Sequence, residues 1–223
     1  MDIGKSFTYI FEDKKWLNKV GLGALISIVP ILNFAWVGYI VQVVRNVENS
    51  QIEPLPEWSD LGEKFLKGLI FLVAGLLYAL PVVILGGIFF LPVLFTSGGN
   101  VSDAVSGALV GGMVFISCVV IIYSLALSFL YPALLINFAR KGTFASCFEF
   151  SQIIKTASFS WGNYLVAWIM SIVFGAVISL ISSVLSPIVC IGWIISIILG
   201  AWASLIPAHL FGQVAQKQQA QVM

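Results

Sequence analysis

The stretch between Lys155 and Lys217 decides the fold. Residues 156–216 read TASFSWGNYLVAWIMSIVFGAVISLISSVLSPIVCIGWIISIILGAWASLIPAHLFGQVAQ and contain no Asp, Glu, Lys or Arg. About 20 apolar residues suffice to cross a hydrocarbon core roughly 30 Å thick, so this run can cross a membrane twice. Two more charge-free runs cover residues 68–102 and 104–139. The sequence therefore predicts an integral membrane protein.

The composition agrees with a chain whose main partner is the lipid bilayer. Hydrophobic residues make up 60% and charged residues 9% of the 223 residues, with a mean hydropathy of +1.03. Soluble domains carry roughly 25% charged residues. A net charge of +1 argues against a nucleic-acid partner, which requires a basic face. No Gly/Ser-rich or Pro-rich linker divides the chain, so we expect a single domain, 1–223.

The predicted fold class is all-α, a polytopic transmembrane helical bundle, because backbone polar groups in lipid must find hydrogen bonds within their own segment. We expect hydrophobic helices at about residues 21–44, 65–95, 103–138, 161–185 and 188–213. The second and third are longer than one crossing needs, so they must tilt, kink or project from the membrane.

The distribution of Lys and Arg predicts the orientation. These residues lie in the N-terminal segment, in the first loop, between Arg140 and Lys155 and at Lys217 near the C-terminus, whereas the loops at residues 96–102 and 186–187 have none. Basic loops favour the cytoplasm, which places both termini and the first loop on that side. A single crossing by residues 21–44 would separate the N-terminus from the first loop. We therefore expect Pro30 to break this segment into a re-entrant pair of half-helices; a kinked span is the alternative.

Two polar stretches have amphipathic patterns. In the N-terminal one, Ile3, Phe7, Ile10 and Phe11 recur at helical spacing. Residues 143–157 form the second. Both predict interfacial amphipathic helices on the basic side, and for the second a connector helix packed inside the bundle is the alternative.

Small residues recur at every fourth position of the last two segments. Such rows let membrane helices approach until their backbones touch. By default we expect the two segments to pack on each other, with an interface between copies as the alternative. The candidate helix-packing residues are Ala167, Ser171, Gly175, Ser179 and Ser183 in one segment, and Gly192, Ser196, Gly200, Ser204, Ala208 and Gly212 in the other.

Three polar residues are candidates for a functional role at membrane depth: Asn33, Asn137 and His209. An ionisable residue inside a bundle is a functional hypothesis in its own right, and His209 is the only histidine. It lies near the end of its segment, so we expect its ring to meet water and headgroups, with a proton or ligand role as the alternative. Asn33, beside Pro30, and Asn137, after Pro132, are expected to satisfy freed backbone groups.

Chemical motifs give no indication of catalysis. The sequence has no HExxH and no Ser/His/Asp arrangement, so we predict no catalytic residue, no cofactor and no metal site. A cation site formed by the first-loop carboxylates is a minor alternative to helix capping and solvation; these are Glu53, Glu57, Asp60 and Glu63. The cysteines have no CxxC spacing and are interpreted as small apolar fillers; they are Cys118, Cys147 and Cys190.

Four blocks of sequence carry a resemblance to a known family. They are LPEWSDLG at 55–62, YPALLINFARKGTFASCFEF at 131–150, NYLVAWI at 163–169 and AHLFGQ at 208–213. Together they resemble the prokaryotic integral membrane proteins of the domain-of-unknown-function family 4013. The resemblance implies a multi-pass protein of a bacterial or archaeal plasma membrane, and it implies no activity.

Two functions from different classes follow. The first is a non-enzymatic membrane module that assembles through its small-residue helix faces with a second copy or another membrane protein. The second is a small transporter or channel whose pathway lies near the helix break at Pro30 and Asn33. Transport of a charged substrate needs fixed charges or converging helix ends at the midplane, and the sequence offers no charge there. The first function is therefore favoured.

Overall fold

The computed structural model describes residues 1–96, 103–185, 187–188 and 191–222; of residues 89–96, 103–106, 108 and 222 it describes the backbone alone. The described residues form helices and no strand, which confirms the all-α class. The helices are α1 (Ile3–Glu12), α2 (Trp16–Ile28), α3 (Asn33–Glu48), α4 (Leu61–Thr96), α5 (Asp103–Lys141), a 3₁₀ helix (Phe144–Phe148), α6 (Phe150–Phe159), α7 (Trp161–Leu185) and α8 (Ile191–Val222).

Four of these helices are long and apolar enough to cross a membrane. The candidate spans are Leu61–Ile88, Leu109–Lys141, Trp161–Leu185 and Ile191–Gln221. The predicted bounds of the fourth hydrophobic segment agree with α7. The last helix continues past the predicted end at residue 213, because its polar C-terminal turns pack against the rest of the chain.

The chain divides into two compact units. The first comprises residues 1–72 and 132–223, and the second comprises residues 73–131. The second unit contains the later part of α4 and the earlier part of α5, where the Tyr123 hydroxyl donates a hydrogen bond to the Tyr78 carbonyl at 2.7 Å. Every Lys, Arg, Asp and Glu of the sequence except Asp103 belongs to the first unit. The organisation of residues 1–223 as a single domain stays a prediction.

The first hydrophobic segment is broken at Pro30, as predicted. Helix α2 ends at Ile28 and α3 begins at Asn33, and the two pack against each other as a helical hairpin. They come so close that a Cβ on Gly23 would lie 2.1 Å from the ring of Trp36. With 13 and 16 residues, the two helices are about 20 and 24 Å long, shorter than the roughly 30 Å hydrocarbon core.

The tip of this hairpin is apolar. Ile28, Val29 and Ile31 are exposed. The backbone of the turn is hydrogen-bonded internally, since the Asn33 N–H donates to the Val29 carbonyl at 2.9 Å. A turn that contacts lipid needs both features, apolar side chains and backbone groups that are hydrogen-bonded within the protein.

Helices α3 and α4 cross in backbone contact through two glycines. A Cβ on Gly38 would lie 1.8 Å from the Lys64 carbonyl oxygen, and a Cβ on Gly68 would lie 1.7 Å from the Phe34 carbonyl oxygen. Real Cβ atoms never come that close to a backbone atom. The crossing therefore requires glycine at both positions.

Helix α8 packs against most of the other helices of the first unit. Its main partners are α3 and α7, with further contacts to α1, α2 and α6. The predicted N-terminal amphipathic helix forms as α1, which buries Tyr9 and Ile10. Helix α6 likewise buries one face, which includes Ile153 and Ala157. Both amphipathic helices are therefore packed against the bundle, and each also exposes apolar side chains, such as Phe11 on α1 and Ile154 on α6.

The second amphipathic stretch differs from the single helix predicted over residues 143–157. It forms the 3₁₀ helix and α6, separated at Glu149. Two contacts from α5 hold this break: the Asn137 amide donates to the Ser146 carbonyl at 2.7 Å, and Lys141 pairs with the Glu149 carboxylate. These contacts with α5 are tertiary, so helical periodicity alone could not reveal them.

Candidate functional site

Two buried polar clusters, one around His209 and one around Lys19, are the candidate functional sites of the first unit. The first joins α1 to α8. The Nδ1 atom of His209 lies 2.9 Å from the Ser6 hydroxyl and 3.0 Å from the Gln213 amide nitrogen. The imidazole stacks on the Tyr9 ring with centroids 4.1 Å apart. The Tyr9 hydroxyl in turn donates to the Leu205 carbonyl at 3.0 Å. These contacts attach the first helix to the last one.

The Gln213 side chain joins this cluster to the backbone of α1. The Asp2 backbone N–H can only donate, so the Gln213 oxygen accepts from it at 2.6 Å. The Gln213 amide nitrogen then faces three acceptors, the Asp2 carbonyl at 2.8 Å, His209 Nδ1 at 3.0 Å and the Ser6 hydroxyl at 3.2 Å. Gln213 therefore connects the start of the chain to both polar members of the cluster.

The position of His209 corrects one expectation from the sequence. The ring was expected to meet water and headgroups, but His209 is only 3% exposed. The reason is that α1 folds back over the end of α8 and covers the ring. Its contacts make it a connection between helices; a proton or ligand role stays a hypothesis.

The second cluster surrounds Lys19 in the first turn of α2. Its ammonium group donates to the Asp13 carboxylate at 2.7 Å and to the Leu55 carbonyl at 2.9 Å, and it lies 3.2 Å from the Glu57 carboxylate. Lys19 and Asp13 are 4% and 3% exposed, so this ion pair is buried. The hydrogen bond from Lys19 lowers the pKa of the Glu57 carboxyl below its ordinary value.

The same cluster fixes the first loop against the hairpin. The Trp58 indole donates to the Lys19 carbonyl at 2.9 Å, and its ring stacks on Tyr39 at a centroid distance of 4.7 Å. Trp36 stacks on Tyr39 at 5.0 Å and lies 6.2 Å from the Trp58 ring, so the three rings form one cluster. The block LPEW at residues 55–58 therefore connects the loop to both α2 and α3.

Two of the four first-loop carboxylates considered for a cation site pair with lysine side chains instead. Glu57 pairs with lysine side chains, and so does Glu63, which pairs with Lys67 one turn further along α4. No group of three His, Cys, Asp or Glu side chains suited to a metal ion occurs among the described residues.

The two candidate asparagines have different surroundings. Asn33 is exposed at the start of α3, and its backbone N–H closes the turn at Pro30. Asn137 is buried. Its side-chain amide donates a hydrogen bond to the Ser146 carbonyl, and not to a backbone group that Pro132 leaves without a helical partner. Instead, the hydroxyl of Tyr164 accepts from the Ala133 N–H at 3.1 Å next to that proline. Asn33 and Asn137 are thus not brought together with His209 into one site.

The small-residue rows are only partly buried. Helices α7 and α8 do pack on each other. Ala167 and Ala208 are buried, and Gly212 is close enough to α3 that a Cβ would lie 2.5 Å from Val47. A Cβ on Gly175 or Gly200, however, would meet nothing within 4 Å. The remaining members of the rows are distributed as follows: Gly192 is buried, Ser171, Ser196 and Ser204 are half-buried, and Ser179 and Ser183 are exposed.

The cysteines fit their interpretation where the structure describes them. Cys147 is buried in the 3₁₀ helix, and burial raises the pKa of its thiol to about 11. Cys118 is exposed on α5, and Cys190 lies outside the described residues.

Sequence reasoning missed the Gly38 and Gly68 crossing and the contacts of Arg140. The Arg140 guanidinium donates through Nε to the Glu48 carboxylate at 2.6 Å, and through one terminal nitrogen to the Ala215 carbonyl and the Gln218 side chain. A signal for the glycines existed, since Gly38 and Gly68 stand in otherwise bulky segments. No sequence signal indicated which acid Arg140 pairs with, because Glu48 is 92 residues away.

Four candidate spans and a charged, hydrogen-bonded unit define the class of the chain: a multi-pass α-helical membrane protein. The chain belongs to the family described as Protein of unknown function (DUF4013), whose profile matches residues 22–187. This confirms the resemblance seen in the sequence. No curated protein and no solved structure matches the chain.

Proposed function

We propose that this protein is a non-enzymatic membrane module that assembles with a second copy through the small-residue face of α7. The supporting observation is an exposed row of Gly175, Ser179 and Ser183, one residue per four, on a helix apolar enough to span the membrane. At Gly175 a Cβ would meet nothing within 4 Å, so the surface of α7 is open at this position among the described residues. Rows of this kind let two membrane helices approach closely and gain dispersion and weak polar contacts.

The observations favour assembly over transport. The helix break at Pro30 is the feature that recommends a pathway, because broken helices form many transporter sites. Most side chains exposed around the break are apolar, among them Ile28, Val29 and Ile31, and suit lipid; Asn33 is the one exposed polar side chain there. The enzymatic hypothesis has no supporting arrangement among the described side chains.

Replacing Gly175 with leucine should abolish assembly while leaving the monomer intact. The larger side chain prevents close approach of a second helix, whereas within one chain the site is open. We expect at least a tenfold lower dimer fraction, about 1.4 kcal/mol, by native mass spectrometry of the full chain. Val177→Leu, a change at another exposed position of α7, is the matched control and should leave the dimer unchanged. Equal dimer fractions for Gly175→Leu and the unsubstituted protein would refute assembly through this face.

We also propose that the protein lies in the plasma membrane of a prokaryote with both termini in the cytoplasm and the α2–α3 hairpin entering from that side. The hairpin has an apolar tip with internal hydrogen bonds, and its helices are too short for a full crossing. All Lys and Arg side chains belong to the first unit, as the hairpin does. Both features support a common cytoplasmic side.

Single cysteines should report this orientation in a variant without the three native cysteines. Lys14→Cys should react with a membrane-impermeant thiol reagent only after the cells are permeabilised, and Ile188→Cys should react from outside. Ile31→Cys, at the hairpin tip, should react under neither condition. Reaction of Ile31→Cys from outside would show that residues 21–44 span the membrane.

A further inference from the structure

A cleft with a volume of about 590 Å³ opens where the C-terminal ends of α3, α5 and α8 meet α6. Three cations line it, Arg45, Arg140 and Lys155, together with one acid, Glu48. The remaining lining residues are Asn49, Gln152, Thr156, Phe159, Gln218 and Gln219. The side chains around the cleft therefore have a formal excess of two positive charges.

This excess exceeds what the helix ends require. Cations near a helix C-terminus are often explained by the macrodipole, which places roughly half a negative charge there. The ends of α3, α5 and α8 together contribute about one and a half negative units to this cleft. About half a positive charge is left uncompensated.

The floor of the cleft is rigid, and its donors are not exhausted. Glu48 is buried and accepts from Arg140 Nε, while the Arg140 Nη2 group donates to the Ala215 carbonyl and to Gln218. Gln218 itself donates to the Thr156 carbonyl at 2.6 Å. Of the five N–H donors of a guanidinium, the two on Nη1 remain for a ligand.

The walls of the cleft supply two more cations that the protein does not pair. The side chains of Arg45 and Lys155 are exposed, and neither forms an ion pair or hydrogen bond with another described residue. Phe159, which lines the cleft, is 46% exposed, so an apolar ring adjoins the charged groups. A ligand with an anionic head and an apolar tail matches both surfaces.

We infer that this cleft binds the phosphate group of an anionic phospholipid. The Nη1 donors of Arg140 and the cationic groups of Arg45 and Lys155 contact the phosphate, and the acyl chains leave the cleft past Phe159. Basic pockets beside transmembrane helices recognise anionic headgroups through such charge-assisted hydrogen bonds. This site is separate from the α7 face proposed for assembly, so an experiment can disprove either proposal without disproving the other.

The test uses the full chain in detergent, titrated with phosphatidylglycerol or phosphatidylcholine and followed by native mass spectrometry. Arg45→Gln with Lys155→Gln should weaken phosphatidylglycerol binding about thirtyfold, from the usual contribution of each basic residue near an anionic lipid. Both side chains are exposed and unpaired, so this double variant should keep the helical circular dichroism and melting temperature of the parent. The matched control is Lys5→Gln with Lys14→Gln, which removes the same charge from exposed positions outside the cleft.

A gain-of-binding variant keeps the proposal falsifiable if the double variant fails to fold. Gln152→Lys adds a cation to the lining and should tighten phosphatidylglycerol binding several-fold. Equal losses in the cleft and control variants would show non-specific charge attraction and overturn the site. The same titration is repeated with inorganic phosphate. If the double variant weakens phosphate binding about thirtyfold and leaves phosphatidylglycerol binding unchanged, the lipid assignment is wrong. A phosphatidylglycerol preference over phosphatidylcholine that the cleft variant alone removes supports it.

Discussion

Gly68→Ala should lower the unfolding free energy of the protein by about 3 kcal/mol, the upper end of the range for overpacked cores. The new methyl group would lie 1.7 Å from the Phe34 carbonyl oxygen and 2.8 Å from the Gly38 nitrogen. Both are backbone atoms of α3, so no side-chain rotation can relieve the clash. Helices α3 and α4 would have to separate, and the close contact that α3 makes with α4 at Gly38 would open with them.

Gly75→Ala is the matched control on the same helix. A Cβ there meets nothing within 4 Å, and alanine favours a helix over glycine by about 1 kcal/mol. The two substitutions, chemically identical, should therefore have opposite signs when thermal unfolding is followed in detergent. Gly38→Ala should resemble Gly68→Ala. Matching melting temperatures for Gly68→Ala and Gly75→Ala would contradict a backbone crossing of α3 and α4.

The second large effect is expected from Lys19→Met. This change leaves the Asp13 carboxylate, 3% exposed, without its ammonium partner, and removing one member of a buried ion pair costs about 3–5 kcal/mol. Asp13→Asn should cost roughly half as much, because Lys19 keeps Glu57 at 3.2 Å and the Leu55 carbonyl. The two variants differ in stability because Lys19→Met leaves the buried Asp13 carboxylate without a cation, whereas Asp13→Asn leaves Lys19 next to Glu57.

A double-mutant cycle separates the pair from its surroundings. The combined variant Lys19→Met with Asp13→Asn contains no unpaired buried charge, so it should be more stable than Lys19→Met alone. Lys15→Met is the control, since Lys15 is 68% exposed and contacts Glu57 at 3.5 Å, and an exposed pair contributes about 0–1 kcal/mol. Additive effects in the cycle, measured by unfolding in detergent, would show that Lys19 and Asp13 do not interact.

The helical segments were predictable because hydrophobic length and proline position act locally. Pro30 ends α2 through its missing N–H and its clash with the preceding turn, whatever the rest of the chain does. The charge-free run likewise gave the bounds of α7, since Trp161 and Leu185 mark the limits of an unbroken apolar stretch.

The interior of the first unit was not predictable, because it depends on contacts between residues far apart in the sequence. His209 looks like an interfacial residue from its place in α8, and only α1, more than 190 residues away, buries it. The small-residue rows were visible in the sequence. Which part of a row meets another helix depends on where α3 crosses α8: α3 contacts α8 at Gly212, and no atom lies within 4 Å of a Cβ placed on Gly200. Gly38 and Gly68 each stand out among bulky neighbours, but the sequence does not pair them, because they lie on different helices.

The attachment of α1 to α8 has a consequence for the time course of biosynthesis. Asp2 and Gln213, which hydrogen-bond to each other, are 211 residues apart. At synthesis rates of about 5–20 residues per second, α1 leaves the ribosome roughly 10–40 s before the end of α8 does. Throughout that interval Tyr9 lacks its stacking partner His209, and an amphipathic helix without its main packing partner rests on the membrane surface. The newborn chain therefore passes through a stage in which lipid covers part of its first helix, and the arrival of the last helix replaces that lipid with protein.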